Sequence, residues 1–338
     1  MNGGPKVAVL GAGAVGCFVG GVLQSTGLPI TFIGRRKLSQ TVDEHGLTLS
    51  DYGGWRAEIA PGDIDFRCGP EALDEAEIIL VTVKSGDTAT AAAEIATHAR
   101  DGATVISFQN GISNVDTLEQ GLGGRFEVAR GTVAFNVVYM GDGRFHKATA
   151  GDLWSDRRDA TQALAERLAA CPTTLKLSPD MLGLAWGKLL INLNNAVNAL
   201  SGRTLLQELH ARDYRRVFAA SIREGLRLLG RADIEPAKVG PLPVQVLARV
   251  LDLPDVLFNN FFSRVWKVDL KARSSMSDDL AAGRKTEVDF INGELVRLAV
   301  RLSMDAPVSR AVVELIHKAE AGAPPLAPKA LRKAVLGR

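Results

Sequence analysis

The sequence predicts a chain of two domains, an α/β half over residues 1–177 and an all-α half over residues 178–338. Three observations predict it. The 338 residues amount to two domains at roughly 150 residues each. Strand and helix signals alternate as far as Leu177, which implies a parallel sheet covered by helices on both faces. From Pro179 onward apolar residues recur at three- and four-residue spacing, the period of packed helices.

Residues 6–10 form a short apolar strand, and residues 14–26 read as a helix that Gly27 would cap. Residues 29–33 are a second strand. Residues 52–60, with Gly53-Gly54, suggest a hairpin insertion. The β-branched run at 77–83 (EIILVTV) is a buried strand, the Ala-rich run at 88–99 a helix, and residues 103–108 another strand. A helix at 161–170 and a last strand at 174–177 close the α/β half. Helices follow at 181–200, 205–229, 244–251, 265–282, 287–302 and 309–321. The proline-punctuated basic tail, with Pro328, Lys329, Arg332 and Lys333, reads as a surface helix or arm.

Composition excludes several classes. The chain is 46% hydrophobic and 23% charged, ordinary for a globular protein with a core. With 40 basic and 38 acidic side chains the net charge is +2, which argues against a dedicated nucleic-acid binder. Cys17, Cys68 and Cys171 are far apart and the five histidines are scattered, so neither a disulfide framework nor a metal site is expected. The apolar run at 7–23 is short and interrupted by five glycines. That points away from a signal peptide or membrane anchor and towards a soluble cytoplasmic protein.

The run Gly11-Ala12-Gly13-Ala14-Val15-Gly16 matches G-x-G-x-x-G, directly after the first strand and at the start of the first helix. That context makes it a Rossmann-type dinucleotide site. Gly11 permits the tight turn, Gly13 has no Cβ to block a pyrophosphate, and Gly16 lets the helix lie close to the strand. The helix N-terminus offers its N–H groups to the phosphates. An NAD site wants an acid at the end of the second strand. Here the strand ends in Gly34-Arg35-Arg36-Lys37. Arginine can bind a 2′-phosphate bidentately, so the cofactor expected is NADP(H), with Arg35 the best placed of the three cations. Lys84 and Asn110 follow two further strands, at the sheet edge where such folds bind ligands. A solvated lysine and an ordinary turn former are the bland alternatives for them.

In the helical half, Lys188, Asn192 and Asn195 stand at i, i+4 and i+7 and share one stripe. Leu189, Leu193 and Val197 fall on other faces and serve the core. Asparagine is a mediocre helix former, and a solvent-facing stripe would carry Glu, Lys and Arg instead, so something polar lies opposite. Further on, Thr286 followed by Asp289 reads as a helix N-cap, with Glu287 in the first turn. On the bland reading Glu287 only complements the helix dipole.

Taken in order, these motifs resemble the ketopantoate reductase (2-dehydropantoate 2-reductase) family. The resemblance covers most of the chain: G-x-G-A-x-G at Gly11, Arg35, V-T-x-K ending at Lys84, Q-N-G at Asn110, W-x-K-L-x-x-N at Lys188 and Asn192, and S-S-M at Ser275 followed by T-E-x-D-x-I-N-G at Glu287. It implies a Rossmann-type domain followed by a helical domain like the C-terminal domain of 6-phosphogluconate dehydrogenase. It implies NADPH-dependent reduction of 2-dehydropantoate to (R)-pantoate, a step of pantothenate and coenzyme A biosynthesis. Arg35 and Lys84 would hold the 2′-phosphate, and Asn110 would sit between cofactor and substrate. Lys188 would be the catalytic lysine, hydrogen-bonded to the ketone and paired with Glu287, which also touches substrate or ribose. Asn192 and Ser275 would grip the substrate's hydroxyl and carboxylate. The family's second substrate asparagine, two turns after the lysine, is Ala196 here. Either Asn195 or Asn198 compensates, or the substrate differs.

On this reading a lysine partly desolvated between the domains stabilises the charge that develops on a ketone oxygen and can deliver the proton. Two rivals stand beside it: a reductase of another small 2-oxo or 3-oxo acid, kept alive by Ala196, and a non-catalytic NADP(H)-binding sensor or scaffold, which would have little reason to keep Lys188 and Glu287. A methyltransferase also uses a glycine-rich turn, but Arg35 speaks against it. The partner expected is a small 2-oxo acid, with no nucleic acid or membrane. All-helical second domains often dimerise or close over ligand, which makes a homodimer the candidate assembly.

Overall fold

A computed structural model describes residues 4–265 and 272–337. The chain divides into two compact units, Met1–Met181 and Leu182–Arg338.

The first unit holds β1 (Val7–Leu10), α1 (Ala14–Gln24), β2 (Ile30–Ile33), α2 (Arg36–His45), β3 (Leu47–Asp51), β4 (Arg56–Ile59), β5 (Asp65–Arg67) and β6 (Ile78–Val81). Next come α3 (Thr88–His98), β7 (Thr104–Ser107), α4 (Asn114–Leu122), β8 (Glu127–Val133), β9 (Val137–Tyr139), β10 (Arg144–Lys147), β11 (Leu153–Ser155), α5 (Asp159–Leu168) and β12 (Leu175–Leu177). The main sheet runs β12-β11-β8-β7-β6-β1-β2-β5. Its pairs are parallel from β5 to β8, where β11 joins antiparallel, so the sheet is mixed at one side. β1, β6 and β7 are buried on both faces, as the continuous apolar sequences of β1 and β6 require, while β7 buries Val105 and Ile106 between a polar residue at each end.

A second sheet, β4-β3-β10-β9, belongs to the same unit. Helix α1 lies between the two sheets. A Cβ on Gly20 would come within 2.5 Å of Phe32 of the main sheet, and one on Gly21 within 2.7 Å of Leu49 of the second. These glycines are therefore what admits close packing on both sides of the helix. The hairpin expected over 52–60 forms as β3–β4, but its first strand lies before that range and only the turn and β4 fall within it; β3 also pairs in parallel with β10 across a long stretch of chain. Strands β9 to β11 are short and part polar, and their pairing is set by tertiary contacts that the local pattern does not carry. Ser25, not Gly27, takes the C-cap of α1; Gly27, at φ +87°, closes the following turn.

The second unit contains α6 (Met181–Asn192, begun at the last residue of the first), α7 (Asn194–Ser201), α8 (Leu205–Leu209), α9 (Arg212–Arg231), α10 (Val244–Leu251), α11 (Asp255–Val265), α12 (Ser275–Ala281), α13 (Val288–Arg301), α14 (Pro307–Glu320) and α15 (Pro328–Leu336). Leu189, Leu190 and Leu193 are at most 3% exposed, and burying each contributes about 1.5–3 kcal/mol. Gly225 of α9 lets α6 approach, since a Cβ there would come within 2.4 Å of Leu190. The basic tail is a docked helix: Leu331 is fully buried and Arg332 pairs with Asp213 of α9 at 2.7 Å.

Three expected helices are broken. The one at 181–200 is interrupted at Leu193. That at 205–229 divides because Ala211 is extended, at φ −101° and ψ 109°, and the freed Leu209 carbonyl accepts from Arg215 Nη1 at 2.8 Å. Of the helix expected at 265–282, residues 266–271 lie outside the described residues. Ala272 to Ser274 are not helical, because the Ser274 hydroxyl caps α12 by accepting from the Ser277 N–H. Among the described residues no helix is long and apolar enough to cross a membrane.

Candidate active site

In the first unit, the glycine-rich turn, Arg35, Lys84 and Asn110 all follow the carboxyl ends of β1, β2, β6 and β7. Gly11 has φ +99°, and a Cβ on it would lie 2.5 Å from the Val83 nitrogen. Gly16 is equally constrained, with Thr82 Oγ1 2.6 Å and Val9 Cγ1 2.9 Å from its hypothetical Cβ. The space around Gly13 is open by contrast, its nearest neighbour being the Gly11 carbonyl at 3.8 Å. Ala12, Ala14 and Val15 complete the turn and open α1. That helix has no side-chain cap and no acid in its first turn. An uncapped helix N-terminus behind a loop without side chains fits the pyrophosphate of a dinucleotide. Arg35 and Lys84 are exposed past the ends of β2 and β6, the two strands that flank β1.

A buried polar network that sequence reasoning missed ties two of these loops together. Asn114 accepts from Thr88 Oγ1 at 2.9 Å and donates to Ser85 Oγ at 3.2 Å and to the Asn110 carbonyl. Ser85 Oγ donates to the same carbonyl at 2.8 Å. Gln109 donates to Thr88 Oγ1 at 2.8 Å and to the Val83 carbonyl at 3.2 Å. Lys84 and Asn110 thus stand on backbone that is held from below. Thr82 does the same for the glycine turn, its hydroxyl donating to the Gly11 carbonyl at 2.9 Å. Polar residues in the loops and helix starts that follow β6 and β7 were the available signal for this network.

In the second unit, only Lys188, Ile191, Asn192 and Asn195 are half-buried between Gly183 and Leu200; every other residue there is buried. The three polar residues therefore form one open stripe on an otherwise enclosed helix pair. Gly187, next to Lys188, admits the chain at Ala237, whose carbonyl would lie 2.0 Å from a Cβ. Desolvation brings the Lys188 ammonium down to about 8, and the charge of Glu287 opposes that fall.

Glu287 is the N-cap residue of α13, one position earlier than the first turn expected for it, and its carboxylate makes no cap bond. Thr286 does the capping instead, accepting from the Val288 N–H at 3.2 Å while its own N–H and hydroxyl both donate to Glu320 at 2.8 Å. That anchoring leaves the Glu287 side chain to interact with Lys188.

Ser275 is exposed at the first position of α12. The preceding Ser274 donates from its hydroxyl to the Asn195 carbonyl at 2.9 Å, which joins α12 to the stripe. Ala196 is fully buried and faces the core. Asn198 is not available to compensate for it. It is fully buried, and its amide contacts Glu208, the Arg203 carbonyl and the Ser274 N–H. Of the two compensating asparagines considered from sequence, Asn195 is the one on the open stripe.

Residues 7–159 match the family model described as Ketopantoate reductase PanE/ApbA, and residues 180–320 match its C-terminal counterpart. A 2-dehydropantoate 2-reductase of Halobacterium salinarum is 28% identical over 324 residues, covering 93% of this chain and 99% of the relative. The crystal structure of a PanE/ApbA family ketopantoate reductase from Ralstonia eutropha superposes with a TM-score of 0.80 at 27% identity, over 94% of this chain and 98% of that one. D-mandelate dehydrogenase, solved with NADH and anilino(oxo)acetate, has a TM-score of 0.74 at 19% identity, over 94% and 98% of the two chains, a likeness of fold.

Proposed function

Because the chain belongs to the ketopantoate reductase family, an oxidoreductase family, we propose that it reduces the C2 ketone of 2-dehydropantoate to (R)-pantoate with NADPH, a step towards pantothenate and coenzyme A. The observation that carries this reading is Lys188, a desolvated ammonium near 8 beside Glu287 on a stripe of asparagines. Bound NADPH would supply the hydride.

The residues of the chain do the rest. Lys188 donates a hydrogen bond to the ketone oxygen, where negative charge grows in the transition state, and passes its proton to the alkoxide. An ammonium near 8 is charged at neutral pH and releases its proton more readily than an ordinary lysine. Glu287 keeps Lys188 charged and oriented. Asn192, Asn195 and Ser275 hold the hydroxyl and carboxylate of the acid, and Asn110 orients the reacting groups. Gly11 to Gly16 cradle the pyrophosphate through backbone N–H groups, while Arg35 and Lys84 bind the 2′-phosphate.

A second reading keeps cofactor and mechanism but takes another small 2-oxo acid. Ala196 favours it, because a buried methyl stands where the family usually has a substrate asparagine. NADPH oxidation with 2-dehydropantoate and a panel of 2-oxo acids separates the two. The first reading expects the highest kcat/KM on 2-dehydropantoate; a higher value on another acid overturns it in favour of the second.

A further inference from the structure

We infer that Glu208 is a positioning residue for the substrate, acting through Asn194, Asn198 and Ser274 on the pair Asn195 and Ser275. The inference rests on the reading of those two residues given above and adds a residue that contacts neither substrate nor cofactor.

Glu208 lies in α8 and is fully buried. Its Oε2 accepts from Asn194 Nδ2 at 3.0 Å and from Asn198 Nδ2 at 3.4 Å. Asn198 Oδ1 in turn accepts the Ser274 N–H at 2.9 Å. Ser274 Oγ donates to the Asn195 carbonyl at 2.9 Å and accepts from the Ser277 N–H at 3.2 Å. One carboxyl therefore sets α7 against the start of α12. Asn195 and Ser275 project from the two ends of that junction, each one residue away from a member of the chain of hydrogen bonds.

The site favours a neutral acid. Among the described residues Glu208 Oε1 and Asn194 Oδ1 are both buried acceptors with no hydrogen-bond partner, and a carboxyl proton would add a donor there. Of the elements packed on α8, α7 carries no titratable group, and α9 presents Tyr214 and Arg215. The Arg215 guanidinium is engaged by the carbonyls of Leu209, Leu251 and Leu253 and by Asp255. It acts on Glu208 only through space. Burial outweighs that attraction and both amide hydrogen bonds, and it pushes the Glu208 carboxyl up to about 8.

The test compares Glu208→Gln, which keeps shape and neutrality, with Glu208→Ala and Ser274→Ala. Glu208→Gln is expected to keep the KM for the 2-oxo acid within about twofold. The alanine variants should raise it roughly ten- to a hundredfold, the scale of an ångström of misplacement, with the KM for NADPH unchanged. Ser274→Ala keeps the comparison decisive if Glu208→Ala does not fold. An unchanged KM for the acid in the alanine variants overturns the inference, as does a Gln variant as impaired as Ala. Asn195→Ala and Ser275→Ala separate the two layers: if these leave the KM unmoved, the site reading itself fails.

A second readout does not depend on activity. The folded value near 8 stands above the ordinary 4.5, so the stabilisation is complete below 4.5 and is lost as pH rises through 8. The Tm of the native chain should fall between about pH 5 and 8 relative to Glu208→Gln and level off above that range. Parallel curves would contradict the neutral acid.

Discussion

Glu287 opposes, through its charge, the desolvation that brings the Lys188 ammonium down to about 8. The relationship joins the N-terminus of α13 to the open stripe of α6. It couples a residue whose side chain makes no cap bond to a lysine in a largely buried helix.

A pH dependence follows with a definite sign. In the proposed mechanism Lys188 donates the proton in its charged form, which prevails below about 8. Turnover should therefore decline above that pH, approaching tenfold per unit. Glu287→Gln removes the influence that raises the lysine, so the basic limb of the pH–rate profile should move to lower pH. A limb that stays in place, or moves upward, would mean that another group sets it.

In the proposed function Arg35 carries the choice of cofactor. Arg35→Ala should weaken NADPH by roughly ten- to a hundredfold, the range of a hydrogen bond to a charged group, and leave NADH nearly unaffected. Titrating both nucleotides against the native and altered proteins measures this. Equal weakening of the two would remove the 2′-phosphate from the account.

Asn114 is a structural test of the first unit. Asn114→Ala would strip partners from Thr88 and Ser85, both 2% exposed, at a cost of about 1–3 kcal/mol. Denaturant unfolding should record that loss. The KM for NADPH should rise because Lys84 and Asn110 lose their common support. Normal nucleotide binding in a destabilised variant would show that the network serves stability alone.

The parts of the fold legible in the sequence were those written in local patterns. The buried runs of β1, β6 and β7, the glycine turn and the long helices of the second unit follow from periodicity and from Gly11, Gly13 and Gly16. Beyond its hairpin turn the second sheet was not legible, because β3 and β10 pair across nearly a hundred residues. The breaks at Leu193 and Ala211 were hidden as well, since neither carries a proline or glycine that would mark a helix end.

At the site, Lys188, Asn192 and Asn195 could be placed on one face by counting, and the burial pattern separates that face from its neighbours. The roles of Asn194, Asn198 and Glu208 could not. An asparagine in a helix reads alike whether it faces a ligand or a buried carboxyl, and only the packing of α7, α8 and α12 distinguishes them. Thr286 and Glu287 were one position out, because either can head a helix and the anchor, Glu320, is distant in sequence.

The most direct test is single-turnover reduction of the 2-oxo acid by Lys188→Ala, measured beside NADPH binding to the same protein. The rate should fall by on the order of a thousandfold, as expected for loss of a proton donor aimed at the developing charge, with NADPH affinity unchanged. Reduction at close to the native rate would contradict the assignment of Lys188 and with it the proposed mechanism.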